Sequence, residues 1–396
     1  MRALYLRVLI AAVLASAALP ALAGDPQISL LTFGPGEVYW ERFGHNALLV
    51  RDADGDRVYN YGLFDFRQKN FFLNFARGRM IYRLADDSLD RTLWAYDRQG
   101  RWTVEQRLNL SPAQSTELAA YLRWNARPEN AEYRYDYFIA NCSTRVRDVL
   151  DHAVGGELRR QLAGKPAGVS YRWEAVRLIS PDLALALAMD AGLGPSADRP
   201  LDVWEQGFVP MALMQAVRSV RISNEYGQPI PLVAAERRLL EGELPDAPKA
   251  PPDLLRLFLL VGLLIAALLL ISVFFQQRLP ARLGFSALAS TLTLAFGIVG
   301  LAFAAIWGLS EHWAGWRNPT LLLFNPLCLL LLPGWLRSAC ANWQPSAWHR
   351  RLTILVAFLA LASLPLAAMG IGAAKLQWIA LALPMHLALA FAVRRR

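Results

Sequence analysis

Up to about residue 250, apolar positions fall in short alternating runs and helical stripes, whereas beyond residue 253 they fuse into long apolar blocks. Residues 27–33 predict an apolar strand that ends at Gly34-Pro35-Gly36. Residues 46–51 and 57–62 predict two more strands around Asp52-Ala53-Asp54-Gly55-Asp56, and Asp-Gly between two such runs signals a hairpin. His45 then stands at the open mouth of that hairpin. Residues 71–82 are aromatic, with Arg77, Arg79 and Arg83 interleaved, and residues 102–108 predict another strand. Ser111-Pro112 opens a helix through Asn125, with Leu118, Tyr121 and Leu122 on one face.

A further helix begins at residue 142. Asn141, Ser143 and Thr144 are helix-capping types, and Val146, Val149 and Leu150 recur behind them at helical spacing. Gly155-Gly156 breaks this pattern. Residues 157–220 look mainly helical, with Trp173, Trp204 and Phe208 as packing anchors. Segments 218–223 and 231–235 predict a late hairpin, and the Pro- and acid-rich residues 241–253 read as a linker.

The apolar blocks cover residues 254–275, 285–307, 320–336, 352–373 and 376–393, against about 20 residues needed to cross a bilayer. The third is interrupted by Pro326 and Pro333. At the other end, Arg2 and Arg7 precede an apolar run to Leu22, and Ala21-Leu22-Ala23 precedes Gly24, the pattern of a secretory signal peptide. Three parts follow: residues 1–23 as signal peptide, 24–252 as an exported domain, and 253–396 as a helical membrane domain.

Charge sharpens this division. The formal net charge is +9, but residues 24–252 hold 28 Lys+Arg and 30 Asp+Glu, while residues 253–396 hold 11 Lys+Arg and two acids. The basic excess belongs to the membrane part, so it gives no footing for a nucleic-acid partner. With the first domain exported, the inner loops and C-terminus carry Arg278, Arg282, Arg337, Arg350, Arg351 and Arg394 to Arg396, and the outer loops only Arg317 and Lys375. That is the positive-inside pattern, and it supports five spans.

Of three cysteines, Cys328 falls in the third span and Cys340 in an inner loop, so Cys142 has no partner in its own compartment. An unpaired exported thiol at a helix start is a candidate nucleophile, because unpaired N–H groups and the helix dipole favour the thiolate. His152 lies ten residues further along the same helix, about 15 Å away at 1.5 Å per residue, out of reach as a base. His45 is free to be brought against Cys142 by tertiary folding. Asn60 and Asp65 are the candidates to orient it. No His, Cys, Asp or Glu spacing in the exported domain suggests a metal, and there is no phosphate-binding glycine loop.

Phe43-Gly44-His45-Asn46-Ala47, then Tyr59-Asn60-Tyr61-Gly62-Leu63-Phe64-Asp65-Phe66, then Asn141-Cys142-Ser143-Thr144 opening a helix, resemble the periplasmic domain of the Lnb-type lipoprotein N-acyltransferases. Phe324-Asn325-Pro326-Leu327 and the segment around Pro231-Leu232-Val233 add to the likeness. The order, His before a helix-borne Cys, is also similar to circularly permuted papain-like enzymes. The resemblance implies an α+β papain-like periplasmic domain followed by about five transmembrane helices in the bacterial inner membrane. It implies a thiol acyltransferase without cofactor. Cys142 would take an acyl chain from a phospholipid donor as a thioester and pass it to the α-amino group of a diacylglyceryl-modified lipoprotein. In this scheme His45 is the base and Asn60 its partner. The N–H groups of Cys142 and Ser143 hold the oxyanion, and Arg79, Arg145, His312, Arg317 and Asn318 are candidate substrate-binding residues.

Two other classes fit the same residues. A Cys-His hydrolase, either a cell-wall amidase or peptidase or a phospholipase, would use the same pair. A membrane-anchored envelope scaffold would merely bury Cys142.

Overall fold

The computed structural model describes residues 24–371 and 375–395, so the predicted signal peptide lies outside the described residues. The chain first builds a seven-stranded antiparallel sheet in the order β11-β5-β1-β2-β3-β4-β6. Its strands are β1 (Gln27–Phe33), β2 (His45–Asp52), β3 (Gly55–Leu63), β4 (Ile81–Ser88), β5 (Thr103–Leu108), β6 (Glu132–Arg134) and β11 (Val233–Leu240).

Alternation along the central strands sorts their side chains onto two faces. Ile28 and Leu30 of β1, with Leu48 and Val50 of β2, pack under α4 (Cys142–Ala153), which contributes Val146 and Leu150. Leu31, Phe33, Ala47, Leu49 and Val58 face the other way and pack with Leu89 and Tyr96 of α2 (Leu89–Arg98). Val146 and Leu150 are fully buried, each stabilising the fold by roughly 1.5–3 kcal/mol. The apolar stripe of α4 is thus what clamps Cys142 to the sheet. A cysteine-bearing helix packed on an antiparallel sheet that carries the histidine is in keeping with the α+β domain and the helix-borne Cys that the resemblance implied.

Between these elements come α1 (Phe71–Ala76) and α3 (Pro112–Asn125), the latter capped at Ser111. After α4 follow α5 (Tyr171–Ile179), α6 (Leu183–Gly192) and α7 (Pro210–Ser219). The largely helical reading of residues 157–220 is interrupted by a small ribbon, β7 (Pro166–Ser170) against β8 (Pro200–Asp202). The late hairpin is also shorter than its sequence suggests. β9 (Arg221–Ser223) pairs with β10 (Pro229–Pro231), and residues from Val233 leave it to pair with β5. The open edge of β5 offers an eight-residue strand more backbone partners than a three-residue ribbon does. Strand β4 and helix α2 are not among the elements predicted above, although Tyr82 and Leu84 alternate with exposed neighbours in β4 and Leu89, Leu93 and Tyr96 recur at helical spacing in α2.

Beyond the linker stand α8 (Leu255–Phe274), α9 (Leu279–Leu309), the segment Pro319–Arg337, α10 (Ala347–Ala368) and α11 (Leu376–Arg395), all five long and apolar enough to cross a membrane. The Pro319–Arg337 segment is not one continuous α-helix. Pro319–Leu322 and Pro326–Leu331 form 3₁₀ turns before Leu332–Arg337 becomes α-helical, because proline lacks the N–H that a helix interior needs.

The two parts are joined at the C-terminal end of α6. Arg172, Lys375 and Asn318 donate to carbonyls there: Asn318 Nδ2 lies 2.7 Å from Ala191 O and 3.0 Å from Gly192 O, while Lys375 and Arg172 both reach Asp190 O. The Asp190 carboxylate accepts from Gln377 at 2.7 Å and Trp378 Nε1 at 2.6 Å. A helix C-terminus presents unpaired carbonyls and partial negative charge, so these donors satisfy it.

Candidate active site

Cys142 is the first residue of α4, and its setting follows from the cap. Asn141 Oδ1 accepts the Thr144 N–H at 2.9 Å, and Thr144 Oγ1 accepts the Asn141 N–H at 2.8 Å, a reciprocal capping box. Asn141 Nδ2 also donates to Tyr137 O and Phe208 O, both at 2.9 Å. The helix start is therefore fixed in position as well as satisfied. One residue on, the buried Ser143 hydroxyl lies 2.8 Å from Asn46 Oδ1 and 2.6 Å from Gly207 O. The Asn46 amide in turn donates to Thr32 Oγ1 at 2.8 Å. Residues next to Cys142 and next to His45 are thus bonded to each other, and this ties the helix start to the strand start.

Glycine makes the approach possible. Gly62 has φ +92°, and a Cβ there would lie 3.3 Å from Cys142 Cβ, a backbone conformation and a spacing that L side chains resist. The backbone N–H groups of Asn46, Ser143 and Cys142 itself converge on the Cys142 sulfur.

Burial nevertheless raises the Cys142 pKa above its ordinary value, against those N–H groups and the Arg101 charge. This corrects the expectation from the helix dipole. Removing the thiolate from water costs more here than three N–H groups return, so the resting thiol is protonated. His45 moves the other way, down to about 4, through burial first and the Arg101 charge second, with the Asn60 hydrogen bond opposing. At neutral pH the thiol is protonated and the imidazole neutral, and both side chains line the same cavity.

His45 Nε2 lies 3.2 Å from Asn60 Oδ1. The Asn60 amide nitrogen is engaged with Val58 O at 3.2 Å, which leaves its oxygen to the ring. His45 Nε2 therefore carries the hydrogen and Nδ1 is left for proton transfer. Asp65, the other orienting candidate, pairs with exposed Arg67 instead. The imidazole packs beside a stacked Phe33–Tyr96 pair, 5.8 Å from Phe33 and 6.5 Å from Tyr96, the two rings themselves being 3.8 Å apart.

Two residues of this setting have no clear mark in the sequence: Tyr96 and Arg101. Arg101 is only 3% exposed. Its guanidinium sits 4.6 Å from the Tyr96 ring centroid and donates through Nε to Gly34 O at 2.8 Å and through Nη1 to Gln99 at 3.2 Å. Nη2 has no partner among the described residues. Asn46 was legible as part of the Gly-His-Asn segment. Tyr96 and Arg101 arrive on α2 and the turn after it.

Cys142, His45, Asn60 and Arg101 all line one cavity of about 660 Å³. Its walls are mostly apolar, with many aromatic rings, and it is shared between the two parts: Phe64, Phe71 and Phe75 come from the first, Ile306 and residues 311–315 from the membrane part. The other sequence candidates distribute unevenly. His312 lines the cavity, with Nε2 2.9 Å from Phe75 O and its ring stacked 5.8 Å from Tyr137. Arg79 pairs with Glu311 at 2.6 Å on the outer side. Asn318 is engaged with α6, and Arg317 is exposed with φ +53°. Arg145 faces a separate cavity of about 630 Å³ on the far side of α4, stacked 4.5 Å over Tyr133, where His152 also lies. No cluster of His, Cys, Asp or Glu suited to a metal occurs among the described residues.

Chemically, the arrangement brings a candidate nucleophile, a neutral imidazole as candidate base and converging N–H groups to one apolar chamber. Comparison with curated proteins and with solved structures finds no match. Two family models do match, the Lnb N-terminal periplasmic domain over residues 23–180 and the Lnb transmembrane domain over residues 255–394. A periplasmic α/β domain followed by five candidate spans, matched in that order over most of its length, places this multi-pass membrane protein in the Lnb family of lipoprotein-processing membrane enzymes.

Proposed function

We propose that the protein is a lipoprotein N-acyltransferase of the inner membrane, acting in the periplasm through a Cys142 thioester. The observation that carries this reading is the cavity itself. A cysteine and a histidine open into an apolar chamber walled partly by the membrane part, which suits an acyl chain better than a peptide or glycan.

In the first half-reaction His45 Nδ1 takes the thiol proton as Cys142 Sγ attacks the ester carbonyl of a phospholipid. The N–H groups of Cys142 and Ser143 stabilise the tetrahedral oxyanion. The carbon–oxygen bond then breaks, and His45 returns the proton to the departing alkoxide, giving a lysophospholipid and an acyl-cysteine thioester. In the second half the α-amine of a diacylglyceryl-modified lipoprotein cysteine attacks the thioester, and His45 takes the proton the nitrogen loses. The carbon–sulfur bond breaks, the amide is formed, and the Cys142 sulfur recovers its proton from His45. Asn60 keeps the ring in the required tautomer throughout. Arg101 places a positive charge in the wall while negative charge develops on sulfur and oxygen.

The test is the intact mass of the purified protein after exposure to phospholipid, with lipoprotein N-acylation followed in cells that depend on this protein. An acyl adduct on Cys142, absent in Cys142→Ala, together with loss of the N-acyl chain, is the expected result. N-acylation retained in Cys142→Ala overturns the proposal. Release of free fatty acid without transfer to an amine would assign the site to phospholipid hydrolysis.

A further inference from the structure

Helix α1 has no buried residue. Phe72 is 74% exposed and Leu73 47%, and Phe66 just before the helix is 53% exposed. Large apolar side chains grouped in this way in an exported domain call for a partner, and the contacts of α1 say where that partner lies. The carbonyl of Phe75 accepts from His312 Nε2 at 2.9 Å, and the carbonyl of Arg77 accepts from the Glu311 N–H at 2.8 Å. Glu311 also pairs with Arg79 and Arg134. Residues 311 and 312 follow directly on α9, a 31-residue candidate span that ends at Leu309. The short helix is therefore pinned at the height where a span leaves the bilayer on the exported side.

Inward, the same helix reaches the chemistry. Phe71 lies 5.4 Å from Phe72, 5.1 Å from Phe66 and 6.0 Å from Phe64 between ring centroids. Phe64, Phe66, Phe71, Phe72 and Phe75 all line the cavity that holds Cys142 and His45, Phe72 being the most exposed of them at its rim. Lys69 and Arg77 flank α1 and are exposed, the placing that lets cationic side chains meet lipid phosphates beside an inserted apolar face.

We propose that α1 lies in the exported-side leaflet of the bilayer that holds α9. Phe72 and Leu73 sit among the acyl chains, and Phe71 and Phe75 form the threshold over which a phospholipid chain enters the Cys142 cavity. The membrane contact rests on geometry alone, whereas the entry route rests on the acyl-transfer reading above.

Full-length protein in phosphatidylethanolamine/phosphatidylglycerol nanodiscs tests both parts. The tryptophan added by Phe72→Trp is read as the fluorescence difference from the parent, in a Cys142→Ala background so that activity plays no part. Phospholipids brominated on their acyl chains are expected to quench it, and aqueous iodide is not. Quenching by iodide with none by bromolipid overturns the membrane contact, whatever the enzyme does.

For the entry route, Phe72→Ser with Leu73→Ser is expected to raise the KM for vesicle phospholipid about tenfold or more while kcat changes little, since two apolar side chains lose their lipid contact. An unchanged KM in a variant whose thermal melt matches the parent overturns the route. A fall in kcat alone does so too.

Discussion

Replacing Asn60 tests how the base is prepared. The Asn60 oxygen lies 3.2 Å from His45 Nε2, and His45 has a pKa held down to about 4. Asn60→Ala removes the acceptor that sets ring and tautomer. One ordinary hydrogen bond contributes about 0.5–1.5 kcal/mol, so kcat is expected to fall by about tenfold from lost orientation, with the KM for lipid nearly unchanged.

Asn60→Asp keeps the shape and adds a negative charge at hydrogen-bond distance. An opposite charge that close raises a histidine pKa by about 1–3 units. The acid limb of kcat/KM reports the free enzyme's base. In the parent it lies near the His45 value of about 4, below which the ring is protonated and cannot take the thiol proton. In Asn60→Asp it moves upward by about 1–3 units, so the variant loses activity between pH 5 and 6, where the parent keeps it. The assay is the rate of Cys142 acylation by phospholipid, followed by intact mass between pH 3.5 and 8. The rate of iodoacetamide alkylation of Cys142 gives a second reading that needs no lipid. An acid limb in Asn60→Asp that coincides with the parent's, or full kcat in Asn60→Ala, refutes the assignment of His45 as base with Asn60 as its partner.

Two further perturbations probe the surroundings. Arg101→Met removes a buried charge that lowers the Cys142 pKa; the pH midpoint of iodoacetamide alkylation should rise, with a fall in rate at neutral pH of about tenfold for each unit, and an unmoved midpoint refutes an electrostatic role. Asp190→Ala leaves the Gln377 and Trp378 donors without their acceptor and should cost about 2–4 kcal/mol, read as a lower Tm in detergent; an unchanged Tm refutes the view that the end of α6 joins the two parts.

The sequence by itself determined the plan: where apolar residues alternate, where they recur at helical spacing and where they run long enough for a bilayer are local properties of a chain. It also singled out Cys142, because compartment and cysteine count are one-dimensional facts, and it excluded His152, because distance along a helix is fixed by helix geometry. It could offer Asn60 and Asp65 only as alternatives, since both lie on or just after the strand following His45. Only the fold gives one of them to His45 and turns the other to Arg67.

The protonation state of Cys142 was not legible at all. A helix start argues for thiolate, but the solvent lost when that start is packed against β2 and β3 decides the outcome. For the same reason Arg79, Arg145, His312, Arg317 and Asn318, all plausible as exposed polar groups, separate into a cavity wall, a second cavity, an outer ion pair, an exposed turn and a helix clamp. Tertiary structure alone also brings Arg101 and Tyr96 to His45. The physical reason is that side-chain chemistry is written in the sequence, whereas desolvation and charge proximity exist only once distant segments have packed.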